Sequence, residues 1–283
     1  MIVPGVFIVS AIGVFGLLIG SFLNVVVYRV PAGLSVISPS SACPKCQVLI
    51  KAYDNVPVVS WMLLGAKCRS CHAPISVRYP LVELGTGVAF AIVALWRHQT
   101  ESTAGALAGS SNALSHQILT LVAFLYFAAI SIVLALIDLD VQRLPNSIVL
   151  PSYAAASILL GTAAILVGDP GTLVRSAIGF AALWMAYFAM ATAYPGGMGF
   201  GDVKLAGLIG LFLGYLGWGE LVIGSFAAFL LGGLYALGLV VTRRANRKSG
   251  IPFGPWMLAG AWVGILWGYR LWDGYLTLIG FTQ

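Results

Sequence analysis

The stretch ILTLVAFLYFAAISIVLALI, residues 118–137, runs for twenty positions without a charge and is followed at once by Asp138-Leu-Asp140. A helix of that length is about 30 Å long, which matches the hydrocarbon core of a bilayer. Its abrupt end in two carboxylates puts the change from lipid to water near residue 138. Outward from this stretch, further apolar runs lie at roughly 6–28, 80–96, 148–167, 173–193, 203–217, 221–242 and 256–272. Only 8% of the 283 residues are charged, and 60% are hydrophobic. Soluble domains carry about a quarter charged residues, so lipid must be the solvent for most of this surface.

The chain is therefore expected to be an all-α polytopic membrane protein with about eight transmembrane helices. Its 34 glycines suit close helix packing. The pairs Gly16/Gly20, Gly210/Gly214 and Gly260/Gly264 fit packing within one chain, the simpler expectation, or between chains, and the sequence leaves the oligomeric state open. No basic leader or cleavage site precedes the first run, which is expected to be retained and to target the chain. The net charge of +6 is no sign of nucleic-acid binding, because no basic stripe interleaved with aromatics lies outside the apolar runs. The positive charges instead set orientation. With the N-terminus outside and every run crossing once, Arg29, Lys45, Lys51, Lys67, Arg69, Arg78, Arg143, Lys204, Arg243, Arg244, Arg247 and Lys248 are cytoplasmic. Arg97, Arg175 and Arg270 remain outside.

All four cysteines fall between the first two runs, as Cys43-Pro-Lys-Cys46 and Cys68-Arg-Ser-Cys71. Two such pairs resemble the knuckles of a zinc ribbon, in which four thiolates complete a tetrahedron around Zn2+. Lys45, Lys67 and Arg69 offset the negative charge of such a site. Two disulfides or four free thiols are the alternatives, and disulfides disagree with a reducing cytoplasm. A closed four-sulfur site has no open position, so its role is structural. His72 reads as a loop residue. The resulting division is residues 1–29 as a first transmembrane helix, 30–79 as a small cytoplasmic zinc-ribbon-like segment, and 80–283 as a membrane helical domain.

Carboxylates beside a bilayer cost about 2.5–3.5 kcal/mol each on insertion scales, so those present need a reason. Asp138 and Asp140 end the third run, and Asp202 opens the sixth, in Gly197-Met-Gly-Phe-Gly-Asp-Val-Lys204. In the assigned orientation all three lie at the cytoplasmic face. Two carboxylates in contact share a proton, so one can activate water while the other polarises a peptide carbonyl. Gly197, Gly199 and Gly201 would let backbone approach the aspartate. The plainer reading is that the aspartates cap helices, which Asp202 at a helix start suits. Glu83 reads as an interfacial charge paired with Arg78, and Glu220 as solvated in an outer turn. A proton or ion path through the three aspartates is a further reading, and so is a non-catalytic scaffold of a secretion or pilus machine.

Gly199-Phe-Gly-Asp202 is the G-x-G-D signature of membrane aspartic proteases. The wider chain resembles the bifunctional prepilin leader peptidase/N-methyltransferase family. The matching stretches are Gly20-Ser-Phe-Leu-Asn-Val-Val-Val-Tyr-Arg29, both cysteine pairs, Asn55-Val-Pro-Val-Val-Ser-Trp61 and Ile75-Ser-Val-Arg-Tyr-Pro-Leu-Val-Glu83. Ile137-Asp-Leu-Asp140, Leu144-Pro-Asn146 and residues 197–205 extend the match in the family's order. The resemblance implies a multi-pass protein of the bacterial inner membrane that cleaves the leader of type IV prepilins and pseudopilins at the cytoplasmic face. It implies Asp138, seven residues before Pro145, and Asp202 as the catalytic pair, with Asp140 outside it. It also implies Cys43, Cys46, Cys68 and Cys71 as zinc ligands, and methylation of the new N-terminus by S-adenosylmethionine. No glycine-rich nucleotide fingerprint is present, and the soluble segment is too short for a doubly wound domain. The methyl-donor pocket must then draw on that segment and the nearby helix ends. Asn24, Arg29, Arg78 and Glu83 are the candidates there, with no role assigned.

Overall fold

The computed structural model describes residues 2–103, 112–194, 198–242 and 252–281. The described residues form helices α1 (Ile2–Arg29), α2 (Val59–Leu63), α3 (Arg78–Thr103), α4 (Ala113–Val141), α5 (Asn146–Leu166), α6 (Pro170–Ala193), α7 (Phe200–Leu216), α8 (Trp218–Val241) and α9 (Gly254–Leu278). A single 3-10 turn covers Ala52–Asn55. Isolated bridges are the only β pairing among the described residues. Each of the eight apolar runs lies in its own helix. Six helices, α1, α3, α4, α5, α6 and α8, are long and apolar enough to cross a membrane, and the chain is a multi-pass membrane protein. The other two runs lie in α7 and α9. Helix α7 has only 17 residues, and α9 is rich in Trp and Tyr and carries Arg270 and Asp273.

The chain divides into two compact units. The first comprises residues 1–108 with 124–133, and the second comprises 109–123 with 134–283. In the first unit α1 lies along α3. A Cβ on Gly16 would sit 2.9 Å from the Gly87 Cα, and one on Gly20 would sit 2.6 Å from the Glu83 Cα. Only hydrogen at these positions permits the approach. Trp96 of α3 meets Phe124 edge-to-face, with ring centroids 5.0 Å apart.

In the second unit α6 pairs with α7 and α8 with α9, and α7 also touches α5, α8 and α9. Most of α7 is buried. A helix that is apolar all round suits a protein interior, and so it can be short. Gly210 and Gly214 face Gly179, Arg175 and Ser176 of α6, while Gly260 and Gly264 face Ala228, Gly224 and Glu220 of α8. The three glycine pairs thus pack helices within the chain. Arg175 donates to the Gly214 carbonyl at 2.7 Å and the Tyr215 carbonyl at 2.9 Å. It thereby satisfies carbonyls that the end of α7 leaves open. Buried hydroxyls turn back on their own helices, as Thr86 does to the Val82 carbonyl at 2.7 Å and Ser131 to that of Phe127 at 2.6 Å. Such internal bonds satisfy polar groups that lipid cannot.

Candidate active site and metal centre

Asp138 stands in the last turn of α4 and is 5% exposed. The helix stops just beyond it, where Gln142 takes a left-handed conformation (φ 50°) and its amide bonds back to the Asp138 carbonyl at 2.9 Å. The Asp138 carboxylate accepts the Gly254 amide at 3.0 Å, at the first residue of α9. A Cβ on Gly254 would lie 2.7 Å from that same oxygen, so glycine is what lets the carboxylate reach the backbone.

Asp202 stands in the first turn of α7, where its carboxylate accepts the Gly199 amide at 3.2 Å. The helix-capping reading is therefore satisfied, and it leaves the second carboxylate oxygen for other work. Asp138 and Asp202 lie close enough to act on one another electrostatically. Leu144, in the turn after α4, packs where a Cβ on Gly201 would come within 3.1 Å. A row of aromatics runs between their surroundings. Tyr187 of α6 lies 6.4 Å from Phe253, next to Gly254, and Phe188 lies 6.4 Å from Phe200, which begins α7. Asp140 is exposed, two residues further along. Gly197 is outside the described residues. Lys204 donates to the Asn146 side chain at 2.9 Å and lies over the Phe200 ring, and the Tyr153 hydroxyl donates to the Lys204 carbonyl. These bonds hold the start of α7 to α5.

Gly254 went unremarked in the sequence, although Pro252-Phe253-Gly254-Pro255 is a turn signal that opens an apolar run. Nothing local tells that this turn meets an aspartate 116 residues earlier. Glu220 is not simply solvated. It stands in the first turn of α8, and its backbone packs against Gly264 and Gly268 of α9.

The cysteines come together in the first unit. Cys43 accepts the Gln47 amide at 2.9 Å and donates to the Val48 carbonyl at 3.0 Å, and Cys68 does the same with His72 at 3.0 Å and Ala73 at 2.8 Å. Gln47 and His72 both have positive φ, 58° and 55°. The two turns are therefore built alike, and His72 is a turn residue rather than part of the cluster. The four sulfurs all lie within 4.8 Å of one another, with Cys43 and Cys71 at 3.8 Å and Cys46 and Cys68 at 4.0 Å. A tetrahedral Zn2+ with bonds of about 2.3 Å would need sulfurs about 3.8 Å apart, so the donor set fits a metal. The cysteines are unpaired as disulfides. Amides of Cys46 and Lys45 pull the Cys43 thiol down to about 6. The Val48 amide acts likewise on Cys46, but burial and the three other sulfurs outweigh it and push that thiol up to about 11. Four thiolates cannot form side by side without a cation among them.

Glu83 does not sit as an interfacial charge. It is buried and accepts the Val58 amide at 2.7 Å. Val58 has φ 61°, an unfavourable conformation for a β-branched residue. The carboxylate thus holds a strained turn of the cysteine segment against α3. Arg69 clasps Asp54 through Nε at 2.9 Å and Nη2 at 2.5 Å, and these bonds hold the Asp54 carboxyl below its usual range. Asn24 donates to the Tyr79 carbonyl at 3.2 Å.

The fold and these two clusters define a polytopic helical membrane protein with an acidic site at helix ends and a four-thiol centre between its first two long helices. Two family models match the chain, the bacterial peptidase A24 N-terminal domain over residues 14–97 and the type IV leader peptidase family over residues 125–237. The prepilin leader peptidase/N-methyltransferase of Aeromonas hydrophila is 33% identical over 95% of this chain and 93% of its own length. Those of Pseudomonas putida and Neisseria gonorrhoeae are each 34% identical, over 98% and 91% of this chain and 96% and 90% of their own. No solved structure matches the chain. The chain belongs to the type IV leader peptidase family.

Proposed function

We propose that this protein cleaves the leader of type IV prepilins or pseudopilins with Asp138 and Asp202, and then methylates the new N-terminal amine using S-adenosylmethionine. What supports the reading is that two carboxylates, 64 positions apart in the chain, stand at the end of α4 and the start of α7 within electrostatic range of one another. The relatives' names add both activities. One carboxylate takes a proton from water as the water oxygen bonds to the scissile carbonyl carbon. The other, protonated, hydrogen-bonds the carbonyl oxygen. The tetrahedral intermediate collapses as the peptide C–N bond breaks and a proton passes to the leaving nitrogen. The amine released is the methyl acceptor, so cleavage precedes methylation. The methyl donor supplies an electrophilic carbon, and the amine's lone pair displaces a thioether from it. Zn2+ in the four-cysteine site is structural and keeps the segment folded against α1 and α3.

Residues 1–29 form a first membrane helix, residues 30–79 the zinc segment, and residues 80–283 the peptidase domain. All eight apolar helices cross the inner membrane, with both clusters at the cytoplasmic face. An ion path through the aspartates fits poorly, because the acids lie in terminal turns and not at mid-helix.

Purified protein incubated with a prepilin should release the leader, and the mature product should gain the mass of a methyl group in place of a hydrogen only when S-adenosylmethionine is added. An uncut prepilin after long incubation with folded enzyme ends the reading. The orientation is tested by single cysteines at Ser110 and Lys248, both outside the described residues. In a cysteine-free background they should react with an impermeant reagent from opposite sides of the membrane. Labelling from one side only would rule out the eight-span arrangement.

A further inference from the structure

Tyr187, on α6, is 3% exposed. Its ring centroid lies 5.5 Å from that of Phe229 on α8 and 6.4 Å from that of Phe253, and those two rings are 5.6 Å apart. The Phe253 ring is seated in turn on α8, where a Cβ on Gly232 would meet it at 2.7 Å. The phenol is thereby fixed beside both halves of the acidic site. Phe253 precedes Gly254, whose amide bonds Asp138. The Tyr187 hydroxyl and the Asp202 carboxylate also lie close enough to act on one another electrostatically. Yet among the described residues that hydroxyl makes no hydrogen bond. Hydroxyls elsewhere in the interior of this unit are bonded, as Ser176 is to the Leu211 carbonyl at 2.9 Å and Tyr153 to that of Lys204. An unpaired donor inside a protein is costly, and one that persists beside a reactive pair calls for a use.

We infer that the Tyr187 hydroxyl donates a hydrogen bond to the carbonyl oxygen of the scissile peptide bond, as a second donor beside the protonated aspartate. The inference rests on the peptidase reading above. The phenol and Asp202 are near one another but not bonded, which leaves room for an atom that accepts from both. As water adds to the carbonyl carbon, the π pair of the C=O bond moves onto oxygen. The charge that grows there is met by two donors instead of one. The phenol keeps its own proton throughout. Its hydrogen bond tightens as the charge develops and relaxes as the intermediate collapses and the C–N bond breaks. A phenol suits this place because it is neutral. A lysine or arginine would pair with the carboxylates and hold both of them ionised. The ring is also clamped by two others, so the donor needs no rearrangement at the moment of reaction.

The test is Tyr187→Phe in the full-length protein in detergent, with leader cleavage followed over a range of prepilin concentrations. Phenylalanine keeps the ring and its packing. The kcat should fall about 10²-fold, as it does on loss of one oxyanion donor. The KM should stay within about threefold of wild type, because the donor acts on charge present only in the transition state. The melting temperature should hold or rise, since the resting protein loses an unpaired hydroxyl and no bond. A pilin supplied already cut should be methylated as by wild type. Cleavage at the wild-type rate overturns the inference. So does a raised KM with unchanged kcat, which would make the phenol a ground-state contact only. A melting temperature lowered by more than about 3 °C overturns it as well, because the hydroxyl would then be bonded within the protein itself. A wild-type protein that leaves prepilin uncut overturns the peptidase reading instead.

Discussion

Asp138→Asn and Asp202→Asn should each lower leader cleavage by at least about 10³-fold, a loss of about 4 kcal/mol of transition-state stabilisation. Asparagine has nearly the same shape and still accepts the amide that each aspartate accepts, from Gly254 in one case and Gly199 in the other. The helix ends should therefore stay in place, and the change removes little beyond the ability to exchange a proton. The two substitutions should not be additive, because a dyad with one member gone is already inactive. Asp140→Asn should stay within about tenfold of wild type, since Asp140 is exposed and lies two residues beyond Asp138 in the chain. Both Asn proteins should still methylate a pilin supplied already cut. Mass spectrometry of the products, with melting temperature as a check on folding, decides the matter. Ordinary cleavage by the Asp202→Asn protein would remove the dyad from the mechanism.

Cys43→Ser should cost the protein its metal. The wild-type chain should carry about one Zn2+, as a four-thiolate site does. The variant should retain less than about a tenth of it, because apparent zinc free energies of about 10–16 kcal/mol depend on the full ligand set. Cys43 is the buried member of the four and Cys71 the exposed one. Serine at 43 thus leaves a weak donor within the folded turn, while serine at 71 leaves it at the surface. Cys43→Ser should accordingly be the more damaging. Elemental analysis measures the metal, and limited proteolysis within residues 30–79 reports the loosening. Metal-free wild type with four reactive thiols and a protease-resistant segment would end the zinc reading.

Helices were the legible part of this chain, because lipid forces each apolar run to satisfy its own backbone. All eight runs sit in helices, including the short one at 203–217. That run did not reveal how it would be surrounded. Its 17-residue helix is buried by α5, α6, α8 and α9 rather than bathed in lipid, and only the packing shows this. The cysteine spacing likewise predicted its own geometry, since each pair is a local turn and the two turns are built alike. The setting of Glu83 was not legible. A charge five residues from Arg78 at a helix start suggests an interfacial position, whereas the residue is buried and its carboxylate accepts the amide of Val58, 25 residues away.

The sequence by itself determined the membrane class, the positions of the helices, the two cysteine turns and the candidate aspartates. Each follows from short-range rules: hydrophobic length, turn chemistry, the cost of a charge beside lipid, and a signature four residues long. Tertiary structure alone decided which groups meet. Gly254 reaches Asp138 across 116 residues, and Gly179 lets α6 close on Gly210 of α7. Arg29 ties down the loop that follows α1. These contacts depend on side-chain volumes summed over several helices, and no local pattern records such a sum.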